Sequence, residues 1–152
     1  MRVVKVEDVG RKREIARAVL EDLTDWFGIE EAREAYIADG AEKAFFCALD
    51  GEVPAGFLYL KPTGQHTVEL AVMGVLRQYH RGGVGRALVE SAKAAAKEMG
   101  YEFMQVKTVR MGMYEDYDRT NRFYLAMGFK EFEVFPTLWD AANPCQIYVM
   151  AL

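Results

Sequence analysis

The stretch QYHRGGVGRAL, residues 78–88, carries three glycines. Before it, residues 67–75 (TVELAVMGV) read as an apolar strand. After it, a helix is predicted from about Gly83 to Met99, with Val84, Leu88, Ala92, Ala95 and Met99 as its apolar stripe. Glu90, Lys93, Lys97 and Glu98 are placed toward water, and Gly100 suits the position just past the end. A strand that enters a helix through glycines brings unpaired backbone N–H groups and the positive end of a helix dipole to one place. Such a turn favours an anion, and glycine lets a phosphate approach the main chain. The GKS/GKT ending of a nucleoside-triphosphate loop is absent. Leu88 stands where the dinucleotide fingerprint has its third glycine. On these residues alone the turn is either a phosphate cradle or a plain turn.

Gly74 interrupts the preceding strand, which predicts a bulge or a close backbone approach there. Upstream, residues 2–7 form a short strand. A helix follows with Ile15, Val19, Leu20, Leu23 and Phe27 at helical spacing, ended by Gly28. A weaker helix covers about residues 30–38. KAFFCALD (43–50) and VPAGFLYLK (53–61) are two strands joined by the hairpin signal DGE. Downstream, YEFMQVKTV (101–109) is a strand, so strand, helix and strand imply a right-handed crossover and a parallel pair. A short helix runs from about Asp118, its N-cap, to Met127. FKEFEVF (129–135) and CQIYVMAL (145–152) close the chain as strands. The reading is an α/β fold with a mixed sheet, mostly antiparallel with one parallel pair, flanked by about four helices, in a single domain over residues 1–152.

Composition narrows the partners. The 152 residues hold 19 Lys+Arg against 23 Asp+Glu, a net charge of -4 without a basic tract. Nucleic acid and anionic membranes are therefore not expected as partners. No apolar run reaches bilayer length, and residues 1–14 lack the apolar core of a signal peptide, so a cytoplasmic protein is expected. Cys47 and Cys145 are too few for a disulfide framework, and Cys47 in AFFCALD reads as a buried thiol. His66 and His80, the two histidines, form no zinc spacing with cysteine, so no metal is expected.

At this point the sequence resembles the GCN5-related N-acetyltransferases, or GNAT superfamily. Their Q/R-x-x-G-x-G/A turn is matched by His80, Gly83 and Gly85. A late-helix run F/L-Y-x-x-x-G-F is matched within TNRFYLAMGF, residues 120–129. The two motifs lie about 40 residues apart in the family's order, and the resemblance spans essentially the whole chain. It departs at His80, where Gln or Arg is usual, with Arg81 as an alternative charge. It departs again at Tyr117, seven residues before Tyr124, where many members have an Asn that helps hold the cofactor.

The resemblance implies a central parallel pair splayed for CoA and transfer of acetyl from acetyl-CoA to a primary amine, in a small molecule or a peptide. The pyrophosphate would lie on the amides of Arg81, Gly82, Gly83, Val84 and Gly85, with His80 and Arg86 also implied as cofactor-binding, and the pantetheine along Met73, Gly74 and Val75. A main-chain N–H near Val75 would face the oxyanion. Tyr124 is the implied general acid toward the thiolate. Glu69, eleven residues before His80, is the implied general base, because a lysine-like amine is mostly protonated at neutral pH. Without a well-placed nucleophile, direct attack in a ternary complex is expected rather than an acetyl-enzyme. Glu21, Asp22, Asp25, Glu30, Glu31 and Glu34, with the acidic YEDYD at 114–118, form a candidate rim that attracts cationic acceptors. Trp26, Tyr36, Phe135 and Trp139 are candidate acceptor-pocket or core aromatics. The rival reading is an acyl-CoA-binding sensor or interaction domain without catalysis; a longer acyl group, a protein N-terminus as acceptor and a homodimer are further options.

Overall fold

The computed structural model describes residues 1–152. The elements run β1 (Arg2–Val6), α1 (Val9–Asp22), α2 (Glu30–Gly40), β2 (Ala44–Asp50), β3 (Val53–Pro62), β4 (Thr67–Val75), a single 3-10 turn (Arg77–Tyr79), α3 (Val84–Glu98), β5 (Phe103–Val109), α4 (Glu115–Ala126), β6 (Lys130–Asp140) and β7 (Asn143–Ala151). The sheet has seven strands in the order β1-β2-β3-β4-β5-β7-β6. β4 and β5 are parallel, as the crossover through α3 predicts, while β1–β2, β2–β3, β5–β7 and β6–β7 are antiparallel. No helix is long and apolar enough to cross a membrane. Packing sorts the residues into two compact units, Met1–Lys61 with Ala71–Ala95 and Pro62–Leu70 with Ala96–Leu152.

In the first unit, Asp8 caps α1 by accepting from Arg11 N at 2.7 Å. Ile15, Ala16, Val19 and Leu20 form its buried stripe, in one core cluster with Phe45, Cys47, Phe57, Tyr59 and Val72. Phe45 and Phe57 stack with centroids 5.2 Å apart. α1 stops at Asp22, five residues short of the Phe27 that its apolar spacing predicts. The cause is Arg77. Its Nε donates to Asp22 O at 3.0 Å, and its backbone N donates to Asp22 Oδ2 at 2.9 Å. Asp22 O thus serves Arg77, and Trp26 N turns to Leu23 O instead. The hairpin predicted at 50–52 is present, with Gly51 at φ 62.

Gly74 is explained by packing. A Cβ there would lie 2.8 Å from Val19 Cγ1 and 3.0 Å from Leu23 Cδ1, so the close approach is that of α1 onto β4. Gly56 on β3 is tighter against backbone, since its Cβ would lie 2.8 Å from Gly74 O. The α3 stripe drifts from the predicted one: Val84, Leu88, Val89, Ala92 and Ala96 are buried, whereas Met99 is 44% exposed. A 3.6-residue period carries the inner face to Ala96 rather than Ala95.

In the second unit, β5 pairs β4 at Thr67↔Phe103 through Glu69↔Gln105, and pairs β7 from Phe103↔Ala151 to Val109↔Cys145. α4 starts at Glu115, not Asp118; Tyr114 holds the N-cap position without a side-chain bond. The Asp118 carboxylate instead accepts from Gly112 N at 2.7 Å, stapling the loop before the helix. β6 and β7 extend beyond the predicted segments, to Asp140 and back to Asn143. Pro136 sits in β6 because that strand is the sheet edge, where a missing N–H costs no ladder bond.

Gly56→Ala is expected to destabilise the fold by about 1–3 kcal/mol, because backbone at Gly74 cannot yield as a side chain would. Urea unfolding of the two proteins measures it.

Candidate functional site

The glycine turn is a backbone device. After β4, Leu76 N is fixed to Ala55 O at 2.9 Å, and His80 N closes the 3-10 turn on Arg77 O at 3.1 Å. Arg81 and Gly83 have φ of 67° and 80°, with Gly82 between them outside the positive region. Alternation of hand of this kind is found in anion-binding nests. Gly82 N donates to Tyr79 O, and Ala87 N to Gly83 O. The amides of Arg81, Gly83, Val84, Gly85 and Arg86 find no acceptor in the chain. Val84 is buried and anchors the first turn of α3, while Gly82, Gly83, Arg81 and Arg86 are exposed. The donors, the fifteen-residue helix behind them and the two arginines fit a pyrophosphate.

His80 plays a part that the sequence did not announce. Its Nε2 lies 2.7 Å from Val75 O, and its ring meets Trp26 edge-on at 6.0 Å. The side chain therefore braces the turn against the end of β4, with the Nε2 proton directed at the carbonyl. Trp26 is in turn covered by Arg77, whose Cζ lies 5.7 Å from the ring centroid. On β4, Gly74 faces α1, while Met73 and Val75 are half-buried on the opposite face by strand alternation.

Glu69 and Lys107 form an ion pair at 2.8 Å through Oε1. Their side chains are 13% and 28% exposed, and Glu69 Oε2 makes no bond within the chain. The Cys145 thiol belongs to the same cluster. Burial pushes it up, Lys107 draws it down, and Glu69 adds a smaller upward push. The Cys47 thiol, in the first unit, is pushed up to about 11 by burial.

Tyr124 lies on α4 and is nearly fully buried. Its ring packs on Phe123 and Phe129 at 5.6 Å and on Tyr148 at 6.4 Å. Burial first, and Tyr117 second, raise its phenol well above the ordinary range, so it stays protonated at neutral pH. Asn121 was missed by sequence reasoning. It is fully buried, donates to Val109 O at 2.8 Å and Tyr117 O at 2.7 Å, and accepts from Tyr148 OH at 2.6 Å. It pins α4 to the end of β5 and to β7, one helical turn before Tyr124. The available signal was an Asn inside a helix, where that residue is unfavourable without a partner.

Part of the acidic rim is engaged within the chain. Asp22 and Asp25 serve Arg77, and Glu34 forms a two-pronged pair with Arg17 at 2.5 and 2.8 Å. Asp116 pairs with Arg119, and Asp118 with Gly112 N. Of the candidate pocket aromatics, Trp26 and Phe135 are half-buried, whereas Tyr36 and Trp139 are 38% and 48% exposed. No group of three His, Cys, Asp or Glu is arranged to hold a metal.

With this geometry in view, residues 12–129 match the model of the acetyltransferase (GNAT) family. The chain belongs to that family. No curated protein matches the sequence. Among solved structures, a GNAT-family protein from Desulfovibrio desulfuricans is similar at TM-score 0.83 and 21% identity, over 98% of this chain and 97% of that one. An aminoglycoside 6'-N-acetyltransferase complexed with coenzyme A is similar at TM-score 0.79 and 15% identity, over 99% and 97%. A Bacillus subtilis acetyltransferase in complex with CoA is similar at TM-score 0.74 and 17% identity, over 99% and 98%. At these identities the likeness establishes the fold.

Both thiols are expected to resist a disulfide reagent at pH 8 in the folded protein and to react on unfolding. The sign is that of raised groups: the folded chain holds these protons more tightly, so the linked stability is present below 9.0 and, for Cys47, is lost as pH rises through about 11. Thiol titration against pH, with and without denaturant, checks both statements.

Proposed function

We propose that the chain is an N-acetyltransferase, with residues 1–152 as one catalytic domain, that moves acetyl from acetyl-CoA to a primary amine by direct attack in a ternary complex. The observation that carries this reading is the set of unpaired amides on Arg81, Gly83, Val84, Gly85 and Arg86, in a member of this family. These amides would hold the pyrophosphate of CoA, with Arg81 and Arg86 nearby as cations. His80 acts on the cofactor indirectly, by holding Val75 and the turn in register. The CoA seen in two similar structures supports the same ligand here. Bound acetyl-CoA supplies the thioester.

The remaining chemistry falls to this chain's own side chains. Glu69 Oε2 accepts a proton from the amine as the C–N bond forms. Tyr124 directs its phenolic O–H at the sulfur as the C–S bond breaks and coenzyme A leaves as the thiolate. A phenol raised by burial gives up its proton uphill, so Tyr124 contributes mainly as a hydrogen-bond donor to the charge developing on sulfur. The buried, raised thiol of Cys145 supports direct attack over an acetyl-cysteine intermediate.

Tyr124→Phe is expected to lower kcat by about 10²–10⁴-fold while leaving the acetyl-CoA Kd within about threefold. CoA thiol release with an amine panel, beside calorimetry, separates the two effects. Equal losses in kcat and affinity would assign Tyr124 to the fold. Acetyl-CoA binding without thiol release from any amine would make the protein an acyl-CoA sensor.

A further inference from the structure

We propose that the Glu69–Lys107 pair selects an acceptor that carries a carboxylate close to its amine, as an amino acid does. The inference rests on the transferase reading and deepens it. Lys107 lies on β5 opposite Ile147 of β7, and its ammonium reaches Glu69 Oε1 at 2.8 Å. Glu69 Oε2 stays open, and both side chains retain partial exposure. A simple ammonium drawn to Oε2 therefore meets a second ammonium already on the same carboxylate. That like-charge contact is costly where water is partly excluded. An acceptor with its own carboxylate removes the cost. Its ammonium sits on Glu69, its carboxylate takes one of the remaining Lys107 donors, and the four charges alternate in sign.

The Glu69–Lys107 pair itself carries no net charge. It recognises a dipolar acceptor better than a cationic one.

The test compares each common L-amino acid with its α-amide, and both with spermidine. Binding is read by calorimetry in the presence of CoA, and turnover by CoA thiol release with acetyl-CoA. For the best amino acid the free acid is expected to exceed the amide by at least about tenfold in both readouts. Lys107→Gln is expected to bring that ratio within about twofold by weakening the acid alone, and Lys107→Arg to preserve it. An amide or spermidine handled as well as the acid overturns the proposal. So does a ratio that survives Lys107→Gln, or amino acids that neither bind nor react on a protein that binds acetyl-CoA. Binding with the expected ratio, but no thiol release from any amine, supports the recognition and contradicts the transferase reading, so the two failures are told apart.

Discussion

The structure turns on a few backbone N–H groups that the chain leaves without acceptors. Between β4 and α3 the main chain passes through Arg81 and Gly83 at positive φ, and the amides there and in the first turn of α3 stay unpaired. Arg81 is the sole non-glycine residue at positive φ, a conformation that costs an L-residue of order 1–2 kcal/mol. Such strain is kept where surrounding structure fixes it. Here the fixing is done by Leu76 on Ala55, by His80 on Val75 O and by Tyr79, whose hydroxyl donates to Asp50 at 2.8 Å.

The same logic reaches back into the core of the first unit. β4 must deliver the turn to a fixed place, and two glycines set where β4 lies. Gly74 admits α1, and Gly56 admits the Gly74 carbonyl. Arg77 then ends α1 by taking the Asp22 carbonyl, and it covers Trp26, which backs His80. A single arginine thus links a helix terminus to the brace of the turn. In the second unit Asn121 does comparable work, tying α4 to Val109 and to Tyr148.

Much of this was legible in the sequence. The strand, turn and helix at 67–98 follow from apolar spacing and glycine, and the parallel β4–β5 pair follows from the crossover they imply. What the sequence did not show were long-range side-chain bonds. The early end of α1 depends on a residue 55 positions away. Asp118 has the chemistry of an N-cap but spends it on Gly112, so α4 begins three residues sooner. His80 also braces the turn through Val75 O, a contact that its place in the motif does not reveal. Within the acidic tracts, Glu34, Asp25 and Asp116 pair with Arg17, Arg77 and Arg119, contacts that charge counting alone does not reveal. The Glu69–Lys107 pair joins residues 38 apart, and only strand register brings them together.

The central claim is that the unpaired amides of the turn hold a pyrophosphate. The most direct measurement is a titration of ¹⁵N-labelled protein with CoA, followed by amide resonances. The account predicts saturable downfield shifts of the amide protons of Arg81, Gly83, Val84, Gly85 and Arg86, larger than those of His80 and Gly82, whose N–H groups already have acceptors. Amides of the turn that stay unmoved at saturating CoA, or CoA that does not bind, would contradict it.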